Sequence, residues 1–502
     1  MATLHTMSSE HVDVLIVGAG VSGIGCAYHL QAEQPTKSYM ILEARAATGG
    51  TWDLFKYPGI RSDSDLHTFG YAFKPWRNDK AIADGPAILK YIRDTASENG
   101  IDRHIRTGHR VVGAEWSSAD ACWTVDVERA DGTALTVTCA WLFCAGGYYR
   151  YDQGFMPDFP GLGDFAGEVL HPQHWPEDLD YAGKRVVVIG SGATAMTIVP
   201  AMAREAGHVT MLQRSPTYVI SVPEMDPIAN WLKRRLPADR AYALTRRKNI
   251  WLQKTIYGLS QKRPRLMRRL LRAGVRKALP DGFDVDTHFN PTYDPWDQRL
   301  CAVPDGDLFG VLSDGSASIV TDRIARFTPT GIALESGATL EADIIISATG
   351  LNLQAFGGIA LSVDGRPVEL GETLVYKGMM LSDVPNFAFA IGYTNASWTL
   401  KVDLVCEYFG RLLGFMDRTG VDTCFPHNDQ PGMATRPLLD FAAGYVQRAV
   451  QDFPRQGDRA PWQLAMSYAA DVKTLRDGPI NDPELKFASS AAVAAPEPAI
   501  AA

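Results

Sequence analysis

The sequence predicts an α/β fold with two Rossmann-like dinucleotide-binding domains and a helical insertion. Three observations predict it. The stretch "VDVLIVGAGVSGIGCAYHLQAE" passes from a β-branched run through a glycine turn into an amphipathic helix from Ser22, and "SYMILEAR" adds a second short apolar strand. The same order returns about 170 residues later in "KRVVVIGSGATAMTIVPAMARE" and "HVTMLQRSP". Residues 225–285 instead read as helices, broken by Pro237 and Pro264.

Taken in order, residues 9–150 should form the first part of one dinucleotide domain, and 151–217 the first part of the other. Within the former, "WTVDVERADGTALTVTCAWLFCAGG" reads as strands around a hairpin turn at Asp131–Gly132. Residues 218–295 form the basic helical insertion, and 296–372 complete the second domain. Here "ASIVTDRIARFTPTGIALESGATLEADIIISATG" reads as strands. The first domain resumes over 373–488, and 489–502 is a low-complexity tail expected to be disordered. The stretch Phe165 to Pro176 has no helix or strand period and is expected to be a linker between the domains.

Composition narrows the function. Hydrophobic residues make up 46% and charged residues 21% of the 502 residues, as in a soluble globular protein. No apolar run approaches the roughly 20 residues needed to span a bilayer. The N-terminal stretch has neither a basic n-region nor an apolar h-region. Seven cysteines, none in CxxC, suit reduced thiols in a cytoplasmic compartment. The net charge is −8, yet residues 231–280 hold sixteen Lys and Arg against one acid, Asp239. Such a block reads as a solvated helical face. Because Trp231, Trp251, Ile256, Tyr257 and Leu259 interleave the charges, it also reads as a peripheral membrane contact. Nucleic acid fits less well, for no zinc, RNA-recognition or basic-zipper motif accompanies the charge. Oligomeric state is not readable.

The glycine turns carry the chemistry. Gly18, Gly20 and Gly23, with Ser22 between them, allow a tight turn that brings backbone close to a pyrophosphate at the helix N-terminus. Glu43, twenty residues after Gly23, suits the ribose hydroxyls of an adenosine. The second turn is Gly190-Ser191-Gly192-Ala193-Thr194-Ala195, and the strand after it ends in Arg214 and Ser215 rather than an acid. A cation and a hydroxyl there suit the 2′-phosphate of NADPH. The pair of sites therefore predicts FAD at the first and NADPH at the second. A disulfide reductase would need a redox cysteine pair, and none is present. Reduction of flavin by NADPH and then reaction with O2 is the chemistry left. No metal is expected: Pro172 prevents a helix that would align His171 and His174.

Two long patterns name a family. "GGTWDLFKYPGIRSDSD" fits [A/G]GxWxxxx[F/Y]P[G/M]xxxD through Gly49, Gly50, Trp52, Tyr57, Pro58, Gly59 and Asp63. "DFAGEVLHPQHWPED" fits FxGxxxHxxxW[P/D] through Phe165, Gly167, His171, Trp175 and Pro176. At these residues the chain resembles the Baeyer–Villiger flavin monooxygenases. "HPQHWPEDLDY", "PTYDPWDQRLC" and "GYTNASWTLK" are most similar to their ethionamide-activating FAD-containing branch. The resemblance implies conversion of ketones to esters or lactones through a C4a-peroxyflavin, with sulfides or thioamides also accepted. N- or S-oxygenation without that preference is the alternative, although those relatives usually carry Phe or Tyr in place of Trp175.

The resemblance also implies residue roles. Arg299 would stabilise the developing anion, and Asp63 would hold and polarise Arg299. Asp63 also reads as an N-cap for the segment from Ser64. Thr51, Trp52, Asp53 and Leu54 would lie near the flavin, with Val111 also contacting cofactor. Arg61 and Ser62 would approach the nicotinamide half of NADPH, and Ser191 and Thr194 its pyrophosphate. Gln298 stands where many relatives have a cofactor-binding Lys, which shifts 2′-phosphate recognition onto Arg214 and Ser215. His171 and Trp175 would couple cofactor binding to domain movement.

Overall fold

The computed structural model describes residues 10–298, 300–430, 432–439 and 444–490. Strand β1 (Glu10–Val17), helix α1 (Val21–Glu33) and strand β2 (Tyr39–Glu43) build the first βαβ unit. Leu15 lies opposite Met40 of β2 on one side and Leu142 of Ala134–Cys144 on the other, both in parallel register. Val14 and Ile16 of β1 enter the core beneath α1, while Val12 and Leu15 enter the core on the opposite face. A strand covered on both faces explains the unbroken apolar run that the sequence shows.

Nine strands share this sheet. The antiparallel pair Cys122–Arg129 and Ala134–Cys144 turns through Gly132 at φ +82°, so the Asp131–Gly132 hairpin forms where expected. Strand Ala360–Val363 pairs with His109–Ser117 and then with Arg366–Pro367. Those residues lie inside the 296–372 segment expected of the second unit. The chain therefore re-enters the first sheet before 373.

The second unit comprises β3 (Arg185–Ile189), α2 (Ala193–Met202) and β4 (His208–Gln213). Among the described residues its main sheet has five strands, all parallel, in the order Ala317–Thr321, β4, β3, Ile344–Ser347, Glu168–Leu170. The last of these corrects the linker expectation. Part of the aperiodic stretch is an edge strand, too short at three residues to show a period.

Between the units come α3 (Pro227–Arg235), α4 (Ala238–Lys262) and α5 (Pro264–Ala278). Asp226 caps α3 by accepting from the amides of Ile228 and Ala229, and Pro264 opens α5 at a position where no amide donor is needed. Met267, Leu271 and Val275 give α5 its buried stripe. The insertion also docks on the first unit. Arg246 Nη1 of α4 donates to the carbonyls of His67 (3.0 Å), Thr68 (3.2 Å) and Gly70 (2.7 Å). Its Nη2 reaches Asp403 at 3.5 Å, on the buried helix α6 (Trp398–Thr419) that lies behind α1. Among the described residues no helix is long and apolar enough to cross a membrane.

Candidate active site

A cavity of about 1250 Å³ opens where the two units and the insertion meet. The first glycine turn forms one end. Gly18 holds φ +98°, and a Cβ on Gly23 would fall 1.9 Å from the Gly18 carbonyl oxygen, so helix and turn meet only because neither carries a side chain. Gly20 and Gly50 face each other across a cradle; a Cβ on Gly50 would lie 3.2 Å from Gly20 Cα. Glu43 is nearly buried and accepts from the amides of Ala19 (2.8 Å) and Arg45 (2.9 Å). Burial raises its pKa, against those two amides. Thr51, Trp52, Leu54 and Val111 line the wall with Gly18, Gly20, Ser22 and Glu43. Trp398 Nε1 donates to Ser22 Oγ at 2.9 Å and so fixes that hydroxyl. Asp53 is not on the wall. Its carboxylate holds Arg45 of the wall (2.8 Å) and Arg93 (2.7 Å). The cradle, the helix N-terminus and the anchored carboxylate suit a dinucleotide laid along β1 and β2.

The second turn reaches the cavity through Ala193 and Thr194. Gly190, at φ +137°, lies against the Ala348 carbonyl, and Ala195 is fully buried in α2. Ser191 Oγ donates to the Ser215 carbonyl at 3.0 Å, with Arg214 exposed beside it. The loop Tyr57-Pro58-Gly59 bridges the units. Gly59 sits on α2, where a Cβ would meet Ala201 Cβ at 2.8 Å and Thr197 O at 2.9 Å. Tyr57 is buried in the core of the second unit, and it and Thr194 both line the cavity. Arg61 and Ser62 both face the cavity. Arg61 is ion-paired with Asp307 at the start of Asp307–Ser313, and Ser62 donates to Ser64 O at 2.7 Å.

Asp63 lines the cavity and is exposed. It is not the helix cap: Asp65 fills that place for Leu66–Phe69, accepting from Thr68 N at 3.0 Å. Asp65 further accepts from Asn249 (2.8 Å) and Gln253 (2.9 Å) of α4. Arg299 lies outside the described residues. Its chain neighbours Gln298 and Leu300 both line the cavity. Sequence reasoning missed the far wall. Gln253 Oε1, Trp296 Nε1 and Asn395 Oδ1 are buried polar atoms without a partner among the described residues, and all three residues line the cavity. A buried polar group without a partner calls for an explanation, and a bound ligand is one that three such groups on a single cavity wall suit. The available signal was the pair of quoted stretches that contain Trp296 and Asn395.

His171 stands outside the cavity, at the joint between the units. Gln173 N donates to its Nδ1 at 3.2 Å, so Nε2 carries the proton and donates to Gly350 O at 3.0 Å. Burial lowers its pKa, against the bond to Gly350. With both ring nitrogens engaged, the ring lies against Gly154, where a Cβ would come within 2.1–2.6 Å of three ring atoms. Tyr149–Gly154 and Leu351–Leu353, the two crossings between units, are themselves paired.

Comparison with known proteins agrees with this arrangement. A family model described as flavin-binding monooxygenase-like matches residues 78–280, and one described as an NAD(P)-binding Rossmann-like domain matches 16–79. The chain is 54% identical over 481 residues to the FAD-containing monooxygenase EthA of Mycobacterium tuberculosis, covering 96% of this chain and 98% of that one. The chain belongs to the FAD-containing monooxygenases. This monooxygenase is also 49% identical over 480 residues to the probable FAD-binding monooxygenase AlmA of Acinetobacter baylyi, covering 95% and 96% of the two chains. Its fold matches a steroid monooxygenase bound to NADP, with TM-score 0.76 at 21% identity over 95% of this chain and all of that one. It also matches cyclohexanone monooxygenase, with TM-score 0.71 at 20% identity over 96% and 100%. The resemblance to the FAD-containing monooxygenase branch therefore holds. This is a flavoprotein oxidoreductase of two dinucleotide-binding units. In the monooxygenase, the Gly20–Gly50 cradle with Glu43 and the α2 turn face each other across the cavity.

Proposed function

We propose that the monooxygenase is an NADPH-dependent Baeyer–Villiger enzyme that converts aliphatic and arylaliphatic ketones to esters or lactones, and also oxygenates sulfides or thioamides. The observation that carries the reading is the convergence of both family patterns on one joint. The loop ending in Asp63 reaches from the FAD cradle to α2, while the stretch with His171 and Trp175 clamps the crossings between the units. Trp175, where N- and S-oxygenating relatives usually carry Phe or Tyr, supports the Baeyer–Villiger reading.

Bound FAD, reduced by NADPH, supplies the activated oxygen. The chain's own residues do the rest. Glu43 and the α1 turn hold the adenosine and pyrophosphate, and Trp52 and Thr51 bound the flavin side of the cavity. Thr194 and Ser191 orient the nicotinamide cofactor, with Arg214 and Ser215 taking its 2′-phosphate. Arg299, between Gln298 and Leu300 of the cavity wall, stabilises negative charge as oxygen adds to the carbonyl, and Asp63 orients it. Apolar wall residues such as Phe356, Ile359 and Leu351 keep water out.

The test is aerobic incubation of the flavin-loaded enzyme with NADPH and a simple ketone, followed by mass analysis. The ketone should gain one oxygen atom as an ester. Arg299→Ala should still let NADPH reduce the flavin, while ester formation falls by about a thousandfold, as for loss of one anion-stabilising group. Oxygenation of amines or sulfides alone, or a fully active Arg299→Ala, would reject the reading.

A further inference from the structure

The large apolar side chains that stand exposed among the described residues all fall between Met225 and Leu270. They include Ile228 and Trp231 of α3, Leu244, Trp251 and Leu252 of α4, and Leu270 of α5, with Trp251 62% and Trp231 55% exposed. These helices already bury one face. Ala241, Tyr242, Thr245 and Asn249 of α4 and Met267, Leu271 and Val275 of α5 turn inward. The second apolar set is surplus to the fold, and folded surfaces rarely collect so many large apolar side chains in one region without a partner.

The charge around them selects the partner. Arg234, Lys254, Arg265 and Arg269 are exposed, and among the described residues none has a carboxylate within salt-bridge distance. Arg235 lies over the Trp231 ring at 5.7 Å. The chain as a whole carries −8, so an anionic surface repels most of the molecule and attracts this face. Nucleic acid would use the cations and stack on the tryptophans, but it offers nothing to Ile228, Leu244 and Leu270. A lipid headgroup layer seats tryptophan and arginine while the acyl boundary beneath it takes leucine and isoleucine.

The patch is continuous with the cavity. Ile228 and Leu252 are exposed on the surface and also belong to the cavity wall. We propose that residues 225–270 dock the enzyme peripherally on anionic bilayers, with the cavity mouth against the acyl boundary, so that lipophilic substrate enters from the membrane. The docking rests on exposed side chains alone and does not depend on which oxygen transfer the enzyme performs.

The experiment is flotation of the flavin-loaded full chain with phosphatidylcholine vesicles, with and without phosphatidylglycerol, at low and high salt. The enzyme should float only with the anionic vesicles and release at high salt, where screening shortens the reach of its cations. Two double variants avoid the cavity wall: Trp231→Ser with Trp251→Ser, and Arg265→Glu with Arg269→Glu. Each should bind anionic vesicles about tenfold or more weakly, while keeping FAD and its rate of NADPH oxidation in buffer. A substrate dissolved in the vesicles should then turn over more slowly than the same substrate in detergent. Failure to float at low salt overturns the proposal, as does flotation unchanged in both variants. Tighter binding to duplex DNA than to anionic vesicles would assign the face to nucleic acid instead.

Discussion

Arg214 is exposed, and the carbonyl of its neighbour Ser215 anchors the Ser191 hydroxyl. A guanidinium placed there contributes only when the cofactor carries a 2′-phosphate. Hydrogen bonds to a charged group contribute about 1.5–3 kcal/mol, and the exposed setting favours the lower end. Arg214→Ala should therefore raise the KM for NADPH by about tenfold while leaving that for NADH near its original value. Steady-state kinetics with both cofactors decide it, and an equal effect on the two would remove Arg214 from phosphate recognition. At this scale the sequence was legible because the signals are local. Gly18 and Gly190 need positive φ, and Glu43 needs only the end of a strand. Gln253, Trp296 and Asn395 were not legible as site residues, since each reaches the cavity from a separate segment.

The crossings between the units depend on a fit between a histidine and a glycine. His171 rests on Gly154 and donates to Gly350, so one ring touches one paired segment and the residue that leads into the other. Gly154→Ala would push a methyl group into that ring. The variant should lose the His171–Gly350 bond and behave like His171→Ala, with NADPH oxidation released from substrate oxygenation and more oxygen escaping as peroxide. Combining the two should add little to either alone, because residues in contact are not additive. The ratio of peroxide to oxygenated product in the four proteins measures this, and full additivity would show that the two act separately. The stretch itself was legible as a family pattern but not as structure. Its strand has three residues and is defined by the pairing of Val169 with Ile345. Likewise, Ala360–Val363 joins the first sheet by pairing with a strand some 250 residues earlier, a contact no local pattern encodes.

Across the whole molecule, one buried group of charges ties α1, α6 and the insertion together. His29 of α1 lies 3.5 Å from both Asp403 and Glu33, and Asp403 also meets Arg246. Burial works against charge on the ring, yet hydrogen bonds to Asp403 and Glu33 hold its pKa up to about 10. A pKa raised in the folded state stabilises fully below the unfolded value, near 6.5, and that contribution is lost as pH rises toward 10. The melting temperature should fall between pH 7 and 10, and His29→Gln should start lower and flatten that fall. A profile of unchanged slope in the variant would locate the dependence elsewhere. The charge balance of the insertion was legible in the sequence, but its seat was not, because Arg246 binds main chain. Three of its Nη1 acceptors are carbonyl oxygens of one turn, which carry no side-chain identity; the fourth is the Tyr242 hydroxyl of its own helix, at 3.3 Å. The joint thus combines main-chain contacts with a few side-chain ones: a relative with a different 225–280 segment must keep the Leu66–Phe69 turn, Asp65 and Thr68 to receive α4, and an acid at the place of Asp403. Within that frame the solvent-facing side of the segment can diversify, or be exchanged by design, while its cavity-wall residues such as Asn249 and Gln253 stay as they are.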